Sequence, residues 1–497
     1  MMARVRNYLA LDLGGSARCV VGSFDGQKLS LDLVSRFETP YVRVLDQVYW
    51  NVLALFSELK DSLRRAHQRY RGELVSVGVD TCGVAFALLD AQGRLVGNPL
   101  YHRRAQAKDV LEAAFERVPK EDIFRTTGLQ LEHLNTLYWL VAMVIADAPA
   151  LRISHTFLML ADLINYWLTG HVVSEYTAAS TSHMLNARTK QWAVPLIEAM
   201  GISPRIFPEI IQPGQVIGNL HQGMSEETGL SPLPVVATAA HDTAAAVASV
   251  PATADDFAFL ILGTWGLLGA EVSEPILTEK VAHFNFTNKG GVFGNILLHY
   301  TGLSLWLVQE CRRAWALEGQ TYTWAELIQM SEQARPFTAY IDNDVPQFLL
   351  PQHMPRQIQE ICRETGQPVP RSHGAIMRVI LESLALKYRY VLDRLADILG
   401  EKPQALHIVG GGGRNRLLCQ FCADATNLPV ITGPYEATCV GNILMQMVAT
   451  GELASHEEGR DLVRASFPSE TFTPADRDLW EEQYNRYLEA TQQPPVA

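Results

Sequence analysis

Three glycine-rich turns each follow a run of β-prone apolar residues, at positions 12–16, 263–266 and 410–413. Glycine in such a turn lets backbone N–H groups approach phosphate oxygens without a Cβ in the way. Two of the turns also carry a hydroxyl residue, Ser16 and Thr264. One turn alone would be weak evidence, because glycine hairpins are common, but three in one chain indicate a nucleotide-binding site.

The turns match neither of the common nucleotide-binding motifs. The P-loop pattern G-x-x-x-x-G-K-[ST] is absent from the sequence, and residues 410–413 lack the G-x-G-x-x-G context of a dinucleotide site. We therefore expect phosphate to be held by β-hairpins rather than by a Walker loop.

Asp12 falls inside the first of these apolar strands. A charged carboxylate in such a strand is unfavourable unless a cation or hydrogen-bond donors compensate it. A Mg²⁺ ion held through water by this carboxylate and by the phosphates of ATP would supply that compensation. The local pattern equally allows an Asp that is exposed at the strand end or caps the turn.

A second candidate carboxylate lies in the tripeptide His241-Asp242-Thr243, between an apolar strand and a helix-like segment. The local pattern favours Asp242 as the N-cap of that helix. The functional alternative is a general base, which would accept a proton from a sugar hydroxyl as its oxygen attacks the γ-phosphate of ATP. Asp80 presents the same choice, because it could simply fix the turn that leads to Gly83.

The length of the chain predicts two domains. Its 497 residues and 55.2 kDa exceed one hydrophobic core, since single cores stop growing near roughly 250 to 300 residues. The net charge of −12 and the lack of a long Lys/Arg run argue against a nucleic-acid partner. Small anionic ligands stay compatible with this charge, because backbone amides can hold them.

The sequence also predicts a location. Asp12 interrupts the first apolar stretch before it reaches the length of a signal-peptide core, and the interior apolar stretches 137–146 and 257–270 are too short to span a bilayer. Seven cysteines, an odd number, fit a reducing compartment. Cys419 and Cys422 form a lone C-x-x-C that is better explained by two buried small residues than by a metal or redox site. We expect a cytoplasmic protein without a membrane partner.

The elements around these residues alternate between strands and helices. The pattern predicts strand, turn and strand over residues 8–24, a helix over 48–70, a strand and a hairpin over 74–97, mainly helices over 108–200, and an irregular crossing over 207–218. Strand, turn and helix or strand then recur after residues 234, 257 and 405. Two structurally related halves that join near residue 250 are the simplest explanation.

Taken together, these segments resemble the FGGY family of carbohydrate kinases over nearly the whole chain. ALDLGGS is similar to the first phosphate loop of the family, GVDTCGV to its first sugar-contact strand, AAHDTAAAV to its catalytic segment and LGTWGLLG to its second phosphate loop. The stretch from HIVGGGG to GPYEATCVGN is similar to the adenosine segment and is the most specific match. Within the family, HDTAAAV, LWLVQECRRAW and ICRETGQPVP most resemble the rhamnulokinase subgroup.

The resemblance implies an α/β fold of two actin-like (ribonuclease-H-like) domains, with ATP and sugar meeting in the cleft between them. It implies an N-terminal lobe over residues 1–250 on the sugar side, and a C-terminal lobe over 251–497 on the nucleotide side that ends in a helix. It also implies that Asp242 is the catalytic base, against the local preference for an N-cap.

The resemblance further implies a role for each matched residue. Asp12 falls at the metal site; Gly14, Gly15, Ser16, Thr264, Gln309 and Gly411 fall where the family contacts the nucleotide; and Gly83, His241, Thr243 and Thr301 fall where it holds the acceptor. ATP and Mg²⁺ are the implied cofactors.

The acceptor half departs from the subgroup pattern. Rhamnulokinases usually read DTWGVDF where this chain has Cys82 in place of Trp and Ala85 in place of the second Asp. They usually read YRDxRT where this chain has YHRRAQ, so that Arg103 and Ala105 stand at altered positions, and Thr301 stands where Asn is expected. A site built to bond hydroxyls discriminates by them, so these changes bear on the identity of the sugar.

The expected activity is phosphorylation of a terminal hydroxyl of a ketose, L-rhamnulose or a related deoxy-ketose. A kinase for another ketose or polyol, of the L-fuculose or xylulose type, is the first alternative. A non-catalytic sugar or nucleotide sensor and an actin-like ATPase are alternatives from other classes, because fold does not dictate function. The partner is then a small sugar, and the pattern leaves a monomer and a homodimer equally open.

Overall fold

The structure is a computed structural model that describes residues 5–14, 16–71, 73–101, 108–130 and 134–494. Of the residues singled out above, Gly15, Arg103 and Ala105 lie outside the described residues. Strands and helices are interspersed along the described chain, which is therefore of the α/β class.

The chain forms two compact units, each assembled from three segments. The first comprises Met1–Ser249, Glu271–Leu298 and Ala437–Phe467, and the second Val250–Ala270, His299–Glu436 and Pro468–Ala497. The sequence predicted one division at residue 250. The first boundary lies beside that position, while residues 271–298 and 437–467 belong to the first unit.

In chain order, the described strands are β1 (Arg6–Leu13), β2 (Ser16–Phe24), β3 (Leu29–Glu38), β4 (Tyr41–Val44), β5 (Gln47–Trp50), β6 (Leu74–Thr81), β7 (Phe86–Leu89), β8 (Thr156–Met159), β9 (Ser174–Glu175), β10 (Leu185–Asn186), β11 (Gln191–Trp192), β12 (Ile210–Ile211), β13 (Gln215–Asn219), β14 (Pro234–Ala237), β15 (Phe257–Leu262), β16 (Trp265–Val272), β17 (Thr287–Gly290), β18 (Ile296–Leu303), β19 (Ala405–Val409), β20 (Val430–Thr432) and β21 (Glu470–Phe472).

The described α-helices are α1 (Val52–Tyr70), α2 (Lys108–Arg117), α3 (Lys120–Thr127), α4 (Thr136–Ile145), α5 (Pro149–Arg152), α6 (Leu160–Thr169), α7 (Tyr176–Ala179), α8 (Val194–Ala199), α9 (Gln222–Thr228), α10 (Asp242–Ala248), α11 (Glu279–His283), α12 (Trp306–Leu317), α13 (Trp324–Gln333), α14 (Met354–Glu364), α15 (His373–Leu399), α16 (Arg416–Thr426), α17 (Ala437–Ala449), α18 (His456–Ser466) and α19 (Arg477–Thr491). Short 3₁₀ turns lie at Ser180–Ser182, Pro204–Ile206, Pro346–Phe348 and Gly411–Arg414.

The first unit is built on a mixed sheet with the strand order β13-β14-β6-β1-β2-β3. Its centre is parallel, because β1 and β14 both run parallel to β6, whereas β2 and β3 continue the sheet as an antiparallel meander. Leu9, Leu11, Val77 and Val79 point from the central strands into one large apolar core and are almost fully buried. Strands buried in this way read as nearly continuous apolar runs, which explains why a carboxylate such as Asp12 stands out among them.

In the second unit, strands β16, β15, β19, β20 and β21 are consecutive neighbours in one sheet. β19 runs parallel to both β15 and β20, so the turns that follow β15 and β19 lie at the same edge of the sheet. The long helix α15 is buried along most of its length, and it begins at the N-cap Ser372, whose side chain accepts a hydrogen bond from Ala375 N–H.

The predicted start of the first helix is wrong. The helix expected over 48–70 begins at Val52, because Asn51 caps it by accepting Ala54 N–H and the preceding residues form β5, paired with β4. The hairpin expected over 86–97 is confirmed, because Leu89 forms an antiparallel bridge with Leu95 and Val96 N–H donates to the Leu88 carbonyl at 2.9 Å. β7 also pairs with β8. After β7 the chain is held in a turn by Asp90, whose Oδ1 accepts two backbone N–H groups. The strand–turn–strand over 8–24 is confirmed as β1 and β2.

None of the helices in the described part of the chain has both the length and the apolar character needed to cross a membrane. All seven cysteines lie within the described ranges, and each carries a free thiol. Cys419 and Cys422 are fully buried on α16, where the Cys419 Sγ–H lies 3.5 Å from the carbonyl oxygen of Gly413.

Candidate active site

The candidate carboxylates of the first unit lie at one edge of its sheet. Asp12 and Asp80 are register partners near the ends of the parallel strands β1 and β6. His241 follows β14 and forms a parallel bridge with Thr81, which brings Asp242 to the same edge. Ligands of open α/β sheets bind outside the carboxyl ends of parallel strands, so this edge is the expected place for chemistry.

Asp12 is almost completely buried, with 3% of its surface exposed. Its Oδ1 accepts the backbone N–H of Gly14 at 3.2 Å, and its Oδ2 lies 2.9 Å from Nη2 of Arg18. The turn donor and the guanidinium supply part of the compensation that a buried carboxylate requires. The sequence also allowed an Asp that is exposed at the strand end or one that caps the turn. Exposure is contradicted by the burial of Asp12, whereas the hydrogen bond to the turn is present.

Asp80 is completely buried beside Asp12. Its Oδ2 accepts a 2.6 Å hydrogen bond from Nδ2 of Asn442 on α17, whereas its Oδ1 has no hydrogen-bond partner among the described residues. Burial raises the pKa of Asp80 well above its usual value, and the negative charge of Asp12 raises it further. An unsatisfied buried carboxylate oxygen next to a second carboxylate is a place where a cation or a proton would be stabilised.

Asp242 is the first residue of α10, and one-third of its side chain is exposed. Its Oδ1 accepts the Thr243 N–H at 2.6 Å and the Thr243 hydroxyl at 3.3 Å, and it lies 3.6 Å from Nε2 of His241. Desolvation by the surrounding protein raises the pKa of Asp242 to about 6, and the charge of Asp12 adds to this rise. A carboxylate with a pKa near neutrality and an open face is suited to take up a proton.

The local sequence pattern predicted Asp242 as the N-cap of α10, and this prediction is wrong. His241 occupies the N-cap position with an extended backbone (φ −87°, ψ 117°), and its carbonyl accepts the first helical hydrogen bond, from Ala245 N–H. Asp242 is therefore a helical residue whose carboxylate lies at the positive end of a short helix.

The turn at Gly83 is tightly clamped. Ala85 N–H donates to the carbonyl of Gly83 at 2.9 Å, and Val84 between them has a positive φ of 66°. Such a three-residue turn is rare and strained, above all at a β-branched residue. The hydroxyl of Thr181 accepts Val84 N–H at 3.0 Å, and the hydroxyl of Thr136 donates to the Val84 carbonyl at 2.7 Å. A strained backbone that is held from both sides marks a site where position matters.

The first glycine turn joins β1 to β2. Gly14 accepts a hydrogen bond on its carbonyl from the Thr39 hydroxyl, and Ser16 begins β2 with an exposed side chain. Gly15 lies outside the described residues. The exposed hydroxyl of Ser16 and the turn around Gly14 are therefore both available to a ligand at this edge.

In the second unit, Thr264 and Gln309 are brought together by a 3.2 Å hydrogen bond from the Thr264 hydroxyl to Oε1 of Gln309. The Thr264 carbonyl accepts the N–H groups of Ser304 and Trp306 at the start of α12, which fixes the turn. Gly411 lies at the end of the neighbouring strand β19, and a Cβ there would meet no described atom within 4 Å. The predicted nucleotide residues of this unit thus share one sheet edge.

Thr301 belongs to the second unit, on β18, where its hydroxyl lies 3.3 Å from Nδ1 of His299. The other three predicted acceptor residues, Gly83, His241 and Thr243, belong to the first unit. The structure therefore brings together Asp12, Asp242 and these three, and places Thr301 with Thr264 in the other unit.

Two of the altered acceptor residues, Cys82 and Ala85, lie at an apolar cluster of the first unit. Ala85 is 2% exposed and packs with Trp50 and Leu160, while Cys82 and Tyr101 are partly buried against the same cluster. Ala85 was interpreted from the sequence as a residue that shapes the sugar pocket. In the structure its side chain belongs to this cluster. Its backbone is held on both sides, because its N–H donates to the Gly83 carbonyl and its carbonyl accepts Leu160 N–H.

Several residues at this edge of the sheet in the first unit were not predicted from the sequence. Arg18 and Asn442 contact the carboxylates directly, and Glu175 and Thr177 hydrogen-bond the backbone next to Asp242. The run SEYTAASTS around Glu175 carries an unusual number of hydroxyls, which is the one local signal that could have drawn attention to it. Asn442 lies far along the chain in a largely apolar helix, so only the fold connects it to Asp80.

The comparisons with known proteins agree with this arrangement. The N-terminal domain of the FGGY family of carbohydrate kinases matches residues 7–249, and the C-terminal domain of the same family matches residues 258–450. The chain therefore belongs to the FGGY family of carbohydrate kinases. It is a carbohydrate kinase, and kinases of this family use ATP as the phosphate donor.

Relatives with known names extend over almost the entire chain. A rhamnulokinase of Bacteroides thetaiotaomicron is 39% identical over 481 residues, which cover 96% of this chain and 98% of the relative. A rhamnulokinase of Halalkalibacterium halodurans is 37% identical over 474 residues, which cover 95% and 100%. The sequence-based assignment to the family, and to the neighbourhood of this subgroup, is confirmed.

Solved structures share the fold at lower identity. The gluconate kinase of Lactobacillus acidophilus superimposes with a TM-score of 0.79 at 16% identity, covering 98% of this chain and 97% of that structure. The xylulose kinase of Rhodospirillum rubrum gives 0.79 at 18% identity, covering 97% of both chains. The predicted actin-like, ribonuclease-H-like α/β fold of two domains is thereby confirmed.

Proposed function

We propose that this kinase transfers the γ-phosphoryl group of ATP to a terminal hydroxyl of L-rhamnulose or a related deoxy-ketose. The observation that carries the proposal is Asp242, a partly exposed carboxylate at the start of α10 with a pKa near 6, beside the buried Asp12 and Asp80. The similarity to rhamnulokinases over almost the full chain supports the choice of sugar.

In this proposal Asp242 acts as the general base. Its carboxylate takes the proton of the acceptor hydroxyl as that oxygen forms a bond to the γ-phosphorus, and the bond from this phosphorus to its bridging oxygen breaks. The products are a sugar phosphate and ADP, and the proton on Asp242 then passes to solvent. Thr243 holds Oδ1 of Asp242 through its N–H, which leaves Oδ2 for the acceptor.

Asp12 and Asp80 fit a Mg²⁺ ion. This fit rests on the buried Oδ1 of Asp80, which lacks a partner within the described ranges and lies next to a second carboxylate. No three His, Cys, Asp or Glu side chains of the described residues are grouped closely enough to hold a metal by themselves, so Asp12 would hold the ion largely through water. When bound, Mg²⁺ neutralises charge on the phosphates of ATP.

The remaining matched residues divide between the two substrates. We assign Gly14, Gly15 and Ser16 to the phosphates, and Thr264, Gln309 and Gly411 to the nucleotide. We assign Gly83, His241, Thr243 and Thr301 to the acceptor. The lobe over 1–250 then holds the sugar and the lobe over 251–497 holds the nucleotide.

A kinase for another ketose or polyol is the second candidate. It is favoured by Cys82 and Ala85, which stand where the rhamnulokinase pattern has Trp and Asp and which lie against an apolar cluster in the first unit. We keep a cytoplasmic location, a small sugar as partner and a monomer or homodimer as part of the proposal. The free thiols and the use of ATP support the location.

The test is a panel of ketoses and polyols, scored by ADP release with Mg·ATP. The panel contains L-rhamnulose, L-fuculose, D-xylulose, glycerol and a blank without sugar. We expect L-rhamnulose to give the highest kcat/KM and the blank to give a negligible rate. A high rate in the blank would overturn the proposal in favour of an ATPase, and no sugar-dependent rate at all would favour a sensor.

A further inference from the structure

The segment 174–182 holds the backbone on both sides of the site in the first unit. Within it, Glu175 is completely buried and caps the short helix α7. Its Oε1 accepts Thr177 N–H at 2.9 Å, while its Oε2 accepts Ala178 N–H at 2.9 Å and the Thr177 hydroxyl at 2.6 Å. These bonds already satisfy the start of the helix.

The side chains of Glu175 and Thr177 also bind the turn between β14 and α10, residues 238–241, which is called the catalytic turn because it leads to Asp242. Oε2 of Glu175 also accepts the N–H of Ala240 at 3.2 Å, and Oγ1 of Thr177 accepts the N–H of His241 at 3.1 Å. Two consecutive backbone N–H groups directly before Asp242 are therefore held by side chains more than sixty positions away in the sequence. On the opposite side of the turn, Thr81 N–H donates to the Ala240 carbonyl at 2.9 Å.

Capping alone does not explain a buried glutamate here. Ser, Thr, Asp or Asn would cap a four-residue helix without placing a longer acid in the core. Burial raises the pKa of Glu175 to about 7, although its hydrogen bonds from Thr177 and from the backbone counteract this. The cost of burial is offset only because the carboxylate collects four donors, one of which belongs to the catalytic turn.

We propose that Glu175 and Thr177 are positioning residues that fix the backbone of Ala240 and His241 and thereby the place of the Asp242 carboxylate. The proposal rests on the proposed function, because it assigns Asp242 as the base. A catalytic group must stand within a fraction of an ångström of its productive place, and a displacement of 1 Å can lower a rate by about 100-fold. Neither residue needs to touch a substrate.

The decisive variant is Thr177→Val, which has nearly the same shape but loses the oxygen that accepts His241 N–H. We expect kcat for the best sugar of the panel to fall by about 10- to 100-fold, with the KM for ATP within about twofold of wild type. Thr177→Ser keeps the oxygen and should restore most of the kcat.

The matched control is Ser182→Ala. Ser182 is equally buried, but its hydroxyl donates to the Ala179 carbonyl and accepts Met184 N–H, so both of its partners are within three residues of it in the sequence. We expect this variant to lose some thermal stability and to keep its kcat. A Thr177→Val protein that keeps its kcat, or whose loss is no larger than that of Ser182→Ala, overturns the inference.

A second variant covers the case in which Thr177→Val does not fold, as judged by circular dichroism. Glu175→Gln has one amide oxygen, which can replace only one of the two carboxylate oxygens, so we expect a smaller loss of kcat in the same direction. An unchanged kcat in this variant also overturns the inference. The proposed function fails separately, if wild type phosphorylates no sugar or if Asp242→Asn keeps wild-type turnover.

Discussion

Asp12 and Asp80 lie directly opposite each other on the parallel strands β1 and β6, and both carboxylates are almost completely buried. Asp12 is paired with Arg18 and with the N–H of Gly14, whereas Oδ1 of Asp80 lacks a partner among the described residues. Two buried carboxylates side by side repel each other, which disfavours the ionised form of at least one of them. A divalent cation near this pair would relieve that repulsion.

The first prediction concerns this pair. If Asp12 holds Mg²⁺ as proposed, Asp12→Ala should weaken Mg²⁺-dependent turnover by about 100-fold or more. Metal-free nucleotide binding should stay within a few-fold of wild type, because the proposed partner of the carboxylate is the ion and not the adenine ring. A Mg²⁺ titration of turnover and a binding assay in EDTA measure the two effects. Arg18→Met is the control, since it removes the ion pair and keeps the carboxylate. An equal loss in Arg18→Met would show that Asp12 acts through its ion pair with Arg18 instead.

The second prediction is a pH dependence set by Asp242. Since the pKa of Asp242 is raised to about 6, the proposed base is protonated at lower pH and cannot accept a proton from the sugar hydroxyl. We expect kcat/KM for the sugar to fall about tenfold per pH unit below 6 and to level off above it. Asp242→Asn should lower turnover by about 10² to 10⁴-fold and remove this limb of the profile. A profile in Asp242→Asn that still bends near pH 6 would assign the limb to another group.

The third prediction is that Asp242→Asn, which should lower turnover, does not lower the stability of the folded protein. A raised pKa means that the folded state prefers the protonated carboxyl, so the native Asp242 destabilises the protein progressively as pH rises from 3.8 towards 6. Asp242→Asn removes this cost and should melt at a temperature equal to or above that of wild type at pH 7.5. The advantage should vanish as the pH approaches 4. Thermal melts without nucleotide at both pH values provide the test, and a large loss of stability at pH 7.5 would contradict it.

The sequence sufficed for the fold and for the residues that lie in short motifs. Asp12, Asp242 and the glycine turns are visible because charged or flexible residues interrupt apolar strands. Strand pairing then places Asp12 and Asp242 at one edge of the sheet in the first unit, and the turns after β15 and β19 at one edge of the sheet in the second unit. The contacts of Asn442 and Glu175 could not be predicted in this way. They depend on helix α17 and segment 174–182, which are distant in sequence from the carboxylates. The hydroxyl-rich run around Glu175 is a local signal, but it does not indicate which backbone groups these side chains bind.

The fourth prediction concerns the strained turn at Val84. Thr181→Val removes the hydroxyl that accepts Val84 N–H, and an unsatisfied buried N–H costs about 1 to 3 kcal/mol. We expect the turn at Gly83 to relax and the KM for the sugar to rise by about fivefold or more, with the KM for ATP nearly unchanged. Thr426→Val is a matched control, because Thr426 is buried and its hydroxyl donates to the Cys422 carbonyl in its own helix. If Thr181→Val and Thr426→Val had equal KM values for the sugar, the hydrogen bond from Val84 N–H to Thr181 would not contribute to acceptor binding.

The interpretation of Ala85 shows the limit of a motif comparison. The pattern suggested a lost polar contact to the sugar, but a motif does not say which way a side chain points. The inward direction of Ala85 follows from the turn at Val84 and from the pairing of β7 with β8, neither of which the local sequence predicts. The outcome is an alanine in an apolar cluster with Trp50 and Leu160.

The fifth prediction follows from that placement. Ala85→Asp restores the residue of the rhamnulokinase pattern, but it would put a carboxylate without a partner into an apolar cluster, where it should cost about 3 to 5 kcal/mol of folding free energy. Ala91→Asp, on the exposed turn after β7, is the matched control and should be nearly neutral. Urea unfolding of both variants measures the difference, and the sugar panel is run on each. If Ala85→Asp were as stable as Ala91→Asp and gained activity towards L-rhamnulose, position 85 would face the acceptor, and the apolar cluster would not be its environment in the working enzyme.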